Sequence, residues 1–143
     1  MSDSRAVSHR LARFAVFVSL GGLALGLAAC DPIIRPQGSS AISATYAYPK
    51  LEADLPDATR VPAAIAAADS TLRARGYSVQ ASSSTEDAGV VRALPPRSSD
   101  YPVVEVKATR TTSGTHVTIG VTPFGDEDLS RSVLDGMLSR LGL

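Results

Sequence analysis

Apolar and polar residues alternate most regularly in the last third of the chain. Val104, Val106 and Ala108 alternate with Glu105, Lys107 and Thr109. Val117, Ile119 and Val121 alternate with His116, Thr118, Gly120 and Thr122. A period of two with one apolar face predicts a half-buried strand, and the Thr112-Ser113-Gly114 turn predicts that the two runs form a hairpin. The same period places Ile42, Ala44, Tyr46 and Tyr48 on one face of a strand ending at Pro49, with weaker extended structure continuing from Leu51 to Leu55. Tyr77, Val79 and Ala81 alternate with Ser78, Gln80 and Ser82, and Gly89–Leu94 forms a further run. Between these runs lie a Ser/Glu/Asp turn and the polar loop Pro95–Asp100.

Two segments carry the helical period instead. Val61, Ile65, Ala68 and Leu72 form one apolar stripe within Val61–Arg75. Pro62 suits the first turn, where its missing N–H has no intrahelical partner, and Gly76 suits the left-handed position after the last turn. Over Asp126–Leu141 the stripe is Leu129, Val133, Met137 and Leu141, widened by Leu134 and Leu138. Asp126, Glu127 and Asp128 match the positive end of that helix dipole. The expected fold is therefore α+β. It is a two-layer sandwich in β-α-β-β-β-β-α order, with a mainly antiparallel sheet of about 4–5 strands and both helices on one face. It occupies residues 41–143 as a single domain.

The first thirty residues follow neither period. Arg5, Arg10 and Arg13 precede Phe14–Ala29, which carries no charge, and Leu27-Ala28-Ala29-Cys30 follows. A basic start, a short apolar run and a small-residue cleavage site predict a secretory signal peptide over residues 1–29. The run is too short and glycine-rich (Gly21, Gly22, Gly26) for a span of roughly 20 residues. The tetrad resembles the bacterial lipobox. That resemblance implies cleavage between Ala29 and Cys30 and lipidation of Cys30, the sole cysteine. Palmitate and related chains on one residue would exceed the two-signal requirement for lasting membrane attachment. Residues 30–40, with Pro32, Pro36, Gly38, Ser39 and Ser40, read as a lipid-anchored flexible tether. Asp31 resembles the enteric signal for inner-membrane retention, but the residues leave inner and outer membrane both open.

Composition then removes function classes. Fourteen basic residues balance fourteen acidic ones, so nothing in the overall charge points to nucleic acid. One cysteine allows no internal disulfide framework and no Cys-rich metal site. His9 falls within the signal peptide, leaving His116 alone in the domain, on the polar side of its strand. Asp126-Glu127-Asp128 could offer carboxylates to a cation, but helical neighbours diverge by about 100° and a helix start already accounts for acids there. Glu86-Asp87 are neighbours in a turn, not an acid–base pair. No Gly-x-Ser-x-Gly elbow, phosphate loop or dinucleotide fingerprint is present. No catalytic residue, metal ligand or cofactor is expected. Phe124-Gly125 is expected to fix the strand-to-helix connection, with Phe124 packing over the sheet end.

Over Tyr46–Leu143 the chain resembles small bacterial lipoproteins of domain-of-unknown-function family 3568. The residues that carry the likeness are the lipobox, the alanine-rich helix ending near Gly76, the charged hairpin, and Phe124-Gly125-Asp126 leading to Leu129-Ser130-Arg131. The Pro95–Asp100 loop departs from a simple hairpin. The resemblance implies an envelope lipoprotein with no assigned activity. The expectation is a non-catalytic module on the cell membrane or outer membrane, facing the periplasm. It would be held by lipid on Cys30 and would bind an envelope protein or peptidoglycan. The alternative is a small periplasmic hydrolase with an unrecognised site.

Overall fold

The computed structural model describes residues 31–96 and 102–143. Seven strands form one sheet: β1 (Ile33–Gln37), β2 (Ile42–Ala47), β3 (Lys50–Leu55), β4 (Ser78–Ser84), β5 (Ala88–Leu94), β6 (Val103–Thr111) and β7 (Gly114–Thr122). Helix α1 (Val61–Ala74) follows β3, and α2 (Glu127–Leu141) follows β7. The spatial order is β1-β2-β3-β7-β6-β5-β4, and every pairing is antiparallel. Two meanders therefore meet at β3 and β7, and α1 carries the chain from the middle of the sheet to its far edge.

The α+β sandwich expected from the sequence is present, with seven strands in place of four to five. One extra strand is Lys50–Leu55, which pairs with β7 in the centre and buries Leu51, Ala53 and Leu55. The other is β1, inside the segment read as a tether. Residues 33–37 pair in register with β2, Ile33 opposite Tyr46 and Gln37 opposite Ile42. The tether reading is corrected for these residues, leaving Asp31 and Pro32 between Cys30 and the sheet.

The core lies between the sheet and the two helices, which share one face. Leu51, Ile119, Val106 and Val91 form a cross-strand row in this layer. Val61, Ile65, Ala68 and Leu72 of α1 are all buried against it, as their spacing predicts. On α2 the stripe is turned slightly from expectation. Val133, Leu134, Met137 and Leu138 are fully buried, whereas Leu129 and Leu141 are partly so. The two helices approach closely at Gly136, where a β-carbon would lie 2.6 Å from Thr71 Cγ2. Arg140 Nε donates to the Thr71 hydroxyl (3.1 Å), and an Arg75 guanidinium N–H donates to the Ser132 carbonyl at the same interface.

The ends of α2 follow capping rules, whereas α1 starts at Arg60 without a side-chain cap. Asp126 Oδ1 accepts from the Leu129 backbone N–H at 2.8 Å, and Gly142 closes α2 in the left-handed region. On α1, Arg73 hydrogen-bonds Asp69 one turn away and holds its carboxyl below the usual range, with Ser82 adding to the effect and burial opposing it.

Two local expectations are corrected. A β-bulge between Val79 and Ala81 shifts the register of β4, so Ala81 faces solvent and no longer shares the apolar face of Val79. Phe124 does not cover the sheet end; it is 78% exposed. That space belongs to Tyr46 and Pro49, against which Gly125 lies: a β-carbon there would stand 2.8 Å from the Tyr46 hydroxyl.

Candidate functional site

Both helices cover the same face of the sheet, so the other face carries the side chains that remain available. Three cross-strand rows cross its centre. The first is Asp54–His116–Thr109, on β3, β7 and β6. The second is Thr45–Glu52–Thr118–Lys107, on β2, β3, β7 and β6. The third is Lys50–Gly120–Glu105–Arg92, on β3, β7, β6 and β5. Alternation alone puts these residues here, since each neighbours a buried residue in its own strand.

His116 sits where its register predicts, on this open face. Its Nδ1 lies 2.8 Å from Asp54 Oδ1, a partner that sequence spacing gave no means of finding. The His116 side chain is about one-third exposed and Asp54 largely exposed. Thr109, directly across from His116, completes an Asp–His–hydroxyl row. The row lies on a ladder whose backbone N–H groups are engaged in strand pairing, so these groups are not free to hold an oxyanion. Solvent-exposed pairs of this kind contribute roughly 0–1 kcal/mol. His116→Ala is therefore expected to change stability by less than about 1 kcal/mol in a denaturant melt. A loss above about 2 kcal/mol would contradict the exposed placement.

The Lys50–Gly120–Glu105–Arg92 row holds a shallow hollow of about 210 Å³, bordered also by Pro49, Val103 and Thr122. Gly120 makes it, because no side chain fills the space between Lys50 and Glu105. Lys107 Nζ pairs with Glu105 at 2.7 Å. The hollow thus has cations on both sides of one carboxylate that is already paired.

Two of the three acids at the start of α2 have structural partners. Asp126 caps the helix, and Glu127 accepts from Arg131 Nε at 2.7 Å. Among the described residues no group of three or more His, Cys, Asp or Glu is placed to hold a metal ion. No helix among them is long and apolar enough to cross a membrane. Ala29, Cys30 and the signal segment lie outside the described residues.

Spacing does not single out Arg131; only the family resemblance includes it, in Leu129-Ser130-Arg131. It is 7% exposed, and besides Glu127 it donates to the Ile33 carbonyl (2.9 Å) and the Ala44 carbonyl (3.4 Å). Gln37 Nε2 in turn donates to the Arg131 carbonyl at 3.4 Å. The first strand is thereby fastened to the last helix. No protein-family model matches the chain, and the comparison with curated proteins finds no relative.

Proposed function

We propose that the protein is a lipid-anchored bacterial envelope module without catalytic activity, which uses the bare face of its sheet to bind a partner on the periplasmic side. The observation that carries the binding part is the asymmetry of the sandwich. Among the described residues the seven strands are covered on one side only, and the other side offers Thr, Glu, Lys, Arg and His side chains in cross-strand rows. Mixed charge with a shallow hollow suits a polar partner such as an envelope protein or peptidoglycan. The anchoring part rests on Leu27-Ala28-Ala29-Cys30 after a basic start and an apolar run. Membership of domain-of-unknown-function family 3568 belongs to the same proposal and rests on Phe124-Gly125-Asp126 and Leu129-Ser130-Arg131.

Attachment is tested by Cys30→Ala in cells fed labelled palmitate. The parent is expected to carry label and the variant to accumulate as unlabelled, uncleaved precursor; equal labelling would overturn the anchor. Binding is tested with a photo-crosslinking residue at Thr118 on the open face and another at Ser132 on the exposed side of α2. A discrete adduct from position 118 alone supports the reading, and the same pattern from both positions opposes it.

The alternative, a small hydrolase, has one observation in its favour, the Asp54–His116–Thr109 row. Ester, phosphate or peptide hydrolysis by the purified chain that disappears in His116→Ala would establish it.

A further inference from the structure

Four large apolar side chains are exposed among the described residues: Ile33 (40%), Ile34 (63%), Tyr48 (63%) and Phe124 (78%). They come from three separate stretches of chain, yet the sheet register brings all four to one end of the molecule. Ile33 and Ile34 open β1 opposite Tyr46 and Thr45 near the end of β2. Tyr48 stands in the turn that follows β2. Phe124 follows β7, whose Gly120 is paired with Lys50 at the start of β3. Its neighbour Gly125 lies against Tyr46 and Pro49. The opposite end differs: its turns carry Ser39, Ser40, Glu86, Asp87, Thr112 and Ser113.

The apolar end is also where the chain arrives from Cys30. Only Asp31 and Pro32 separate that cysteine from β1. Three residue steps span at most about 11 Å even when fully extended. The polar layer of one bilayer leaflet is roughly 5–8 Å thick. With acyl chains on Cys30 in the hydrocarbon, Ile33 can therefore lie little beyond the headgroups, and β1 cannot swing away because it is paired along its length.

We infer that Ile33, Ile34, Tyr48 and Phe124 form a membrane-facing rim that seats this end of the sheet in the lipid headgroup layer. The inference rests on the lipid anchor proposed above. Amphipathic aromatic and aliphatic side chains are the residues that partition into this layer, and a modest apolar contact supplies a second attachment beside the acyl chains. Among the described residues nearby, Asp31, Asp126, Glu127 and Asp128 outnumber Arg35 and Lys50, so these charges do not favour anionic lipid and the contact is apolar. In this pose the strands rise from the bilayer and the open face points sideways, clear of the headgroups.

The chain has no tryptophan, so a single introduced indole reports its own depth. Phe124→Trp, Tyr48→Trp and, at the far end, Thr112→Trp are made in the full chain, purified in lipidated form and reconstituted in phosphatidylcholine vesicles containing brominated acyl chains. Phe124→Trp and Tyr48→Trp are expected to lose most of their emission, with a blue shift, and Thr112→Trp to lose none. The first two sites are already exposed, so the folded state tolerates the change, and parallel thermal melts confirm it. Equal quenching at all three sites, or quenching at Thr112→Trp alone, overturns the pose. Palmitate labelling is read on the same samples. Label without quenching at positions 48 and 124 refutes the rim and leaves the anchor standing; absence of label refutes the anchor and the rim with it.

Discussion

Val133→Asp is expected to unfold the domain, while Ser132→Asp one residue away leaves it folded. Val133 is fully buried, with Leu134, Met137 and Leu138 beside it in the layer under the sheet. Replacing it removes roughly 1.5–3 kcal/mol of apolar transfer energy. The new carboxylate would lie among apolar side chains and must either stay charged without water or take up a proton, at a further cost of several kcal/mol. Domains of this size have about 5–15 kcal/mol in all. Ser132 is exposed and its replacement touches none of this. Circular-dichroism melts of residues 31–143 check the pair: the first variant should show no cooperative transition, and the second should melt like the parent. Equal melting would mean that α2 presents a different face to the sheet.

Arg131→Ala is expected to lower stability by about 2–4 kcal/mol, the range for breaking a buried, hydrogen-bonded ion pair whose remaining partner regains some water. Glu127, still about one-fifth exposed, can rehydrate, which keeps the loss below the extreme. The effect should be uneven. Arg131 is the guanidinium that holds the Ile33 and Ala44 carbonyls, so amide exchange should accelerate first in β1. Arg131→Lys retains a charge but not the planar fork, and should recover only part of the loss. An unchanged melt in Arg131→Ala would show that the guanidinium contributes nothing net. Uniform acceleration across the sheet would show that β1 is no separate unit.

These two residues also mark what the sequence makes legible. Val133 lies on a stripe that periodicity displays directly, as do Val61, Ile65, Ala68 and Leu72. The β6–β7 hairpin is equally plain, because one face is dry and the other wet and the pattern must record it. β1 is hidden for the converse reason. Ile33-Ile34-Arg35-Pro36-Gln37 has no alternation, only Gln37 is buried, and the strand is held by a side chain on the last helix. A short edge strand kept in place by a tertiary bond leaves no local signature. The bulge in β4 is invisible in the same way, since one extra residue shifts Ala81 without altering composition. At the candidate site, alternation assigned His116 to the polar side. Its pairing with Asp54 depends on β3 joining β7, a junction that periodicity does not encode.

That junction has a further consequence, in time. The β3–β7 ladder joins Lys50 to Gly120 and Leu55 to Thr115, so neighbours at the centre of the sheet are separated by most of the domain's chain length. Loop closure over such distances must precede the contacts that reward it, and folds dominated by non-local pairing take milliseconds to seconds where local ones take microseconds. The first meander cannot complete its sheet on emerging from the ribosome; it must wait for the β6–β7 hairpin, which is synthesised later. On the export reading proposed above, that wait would keep the polypeptide threadable until the closing hairpin had followed the first meander through.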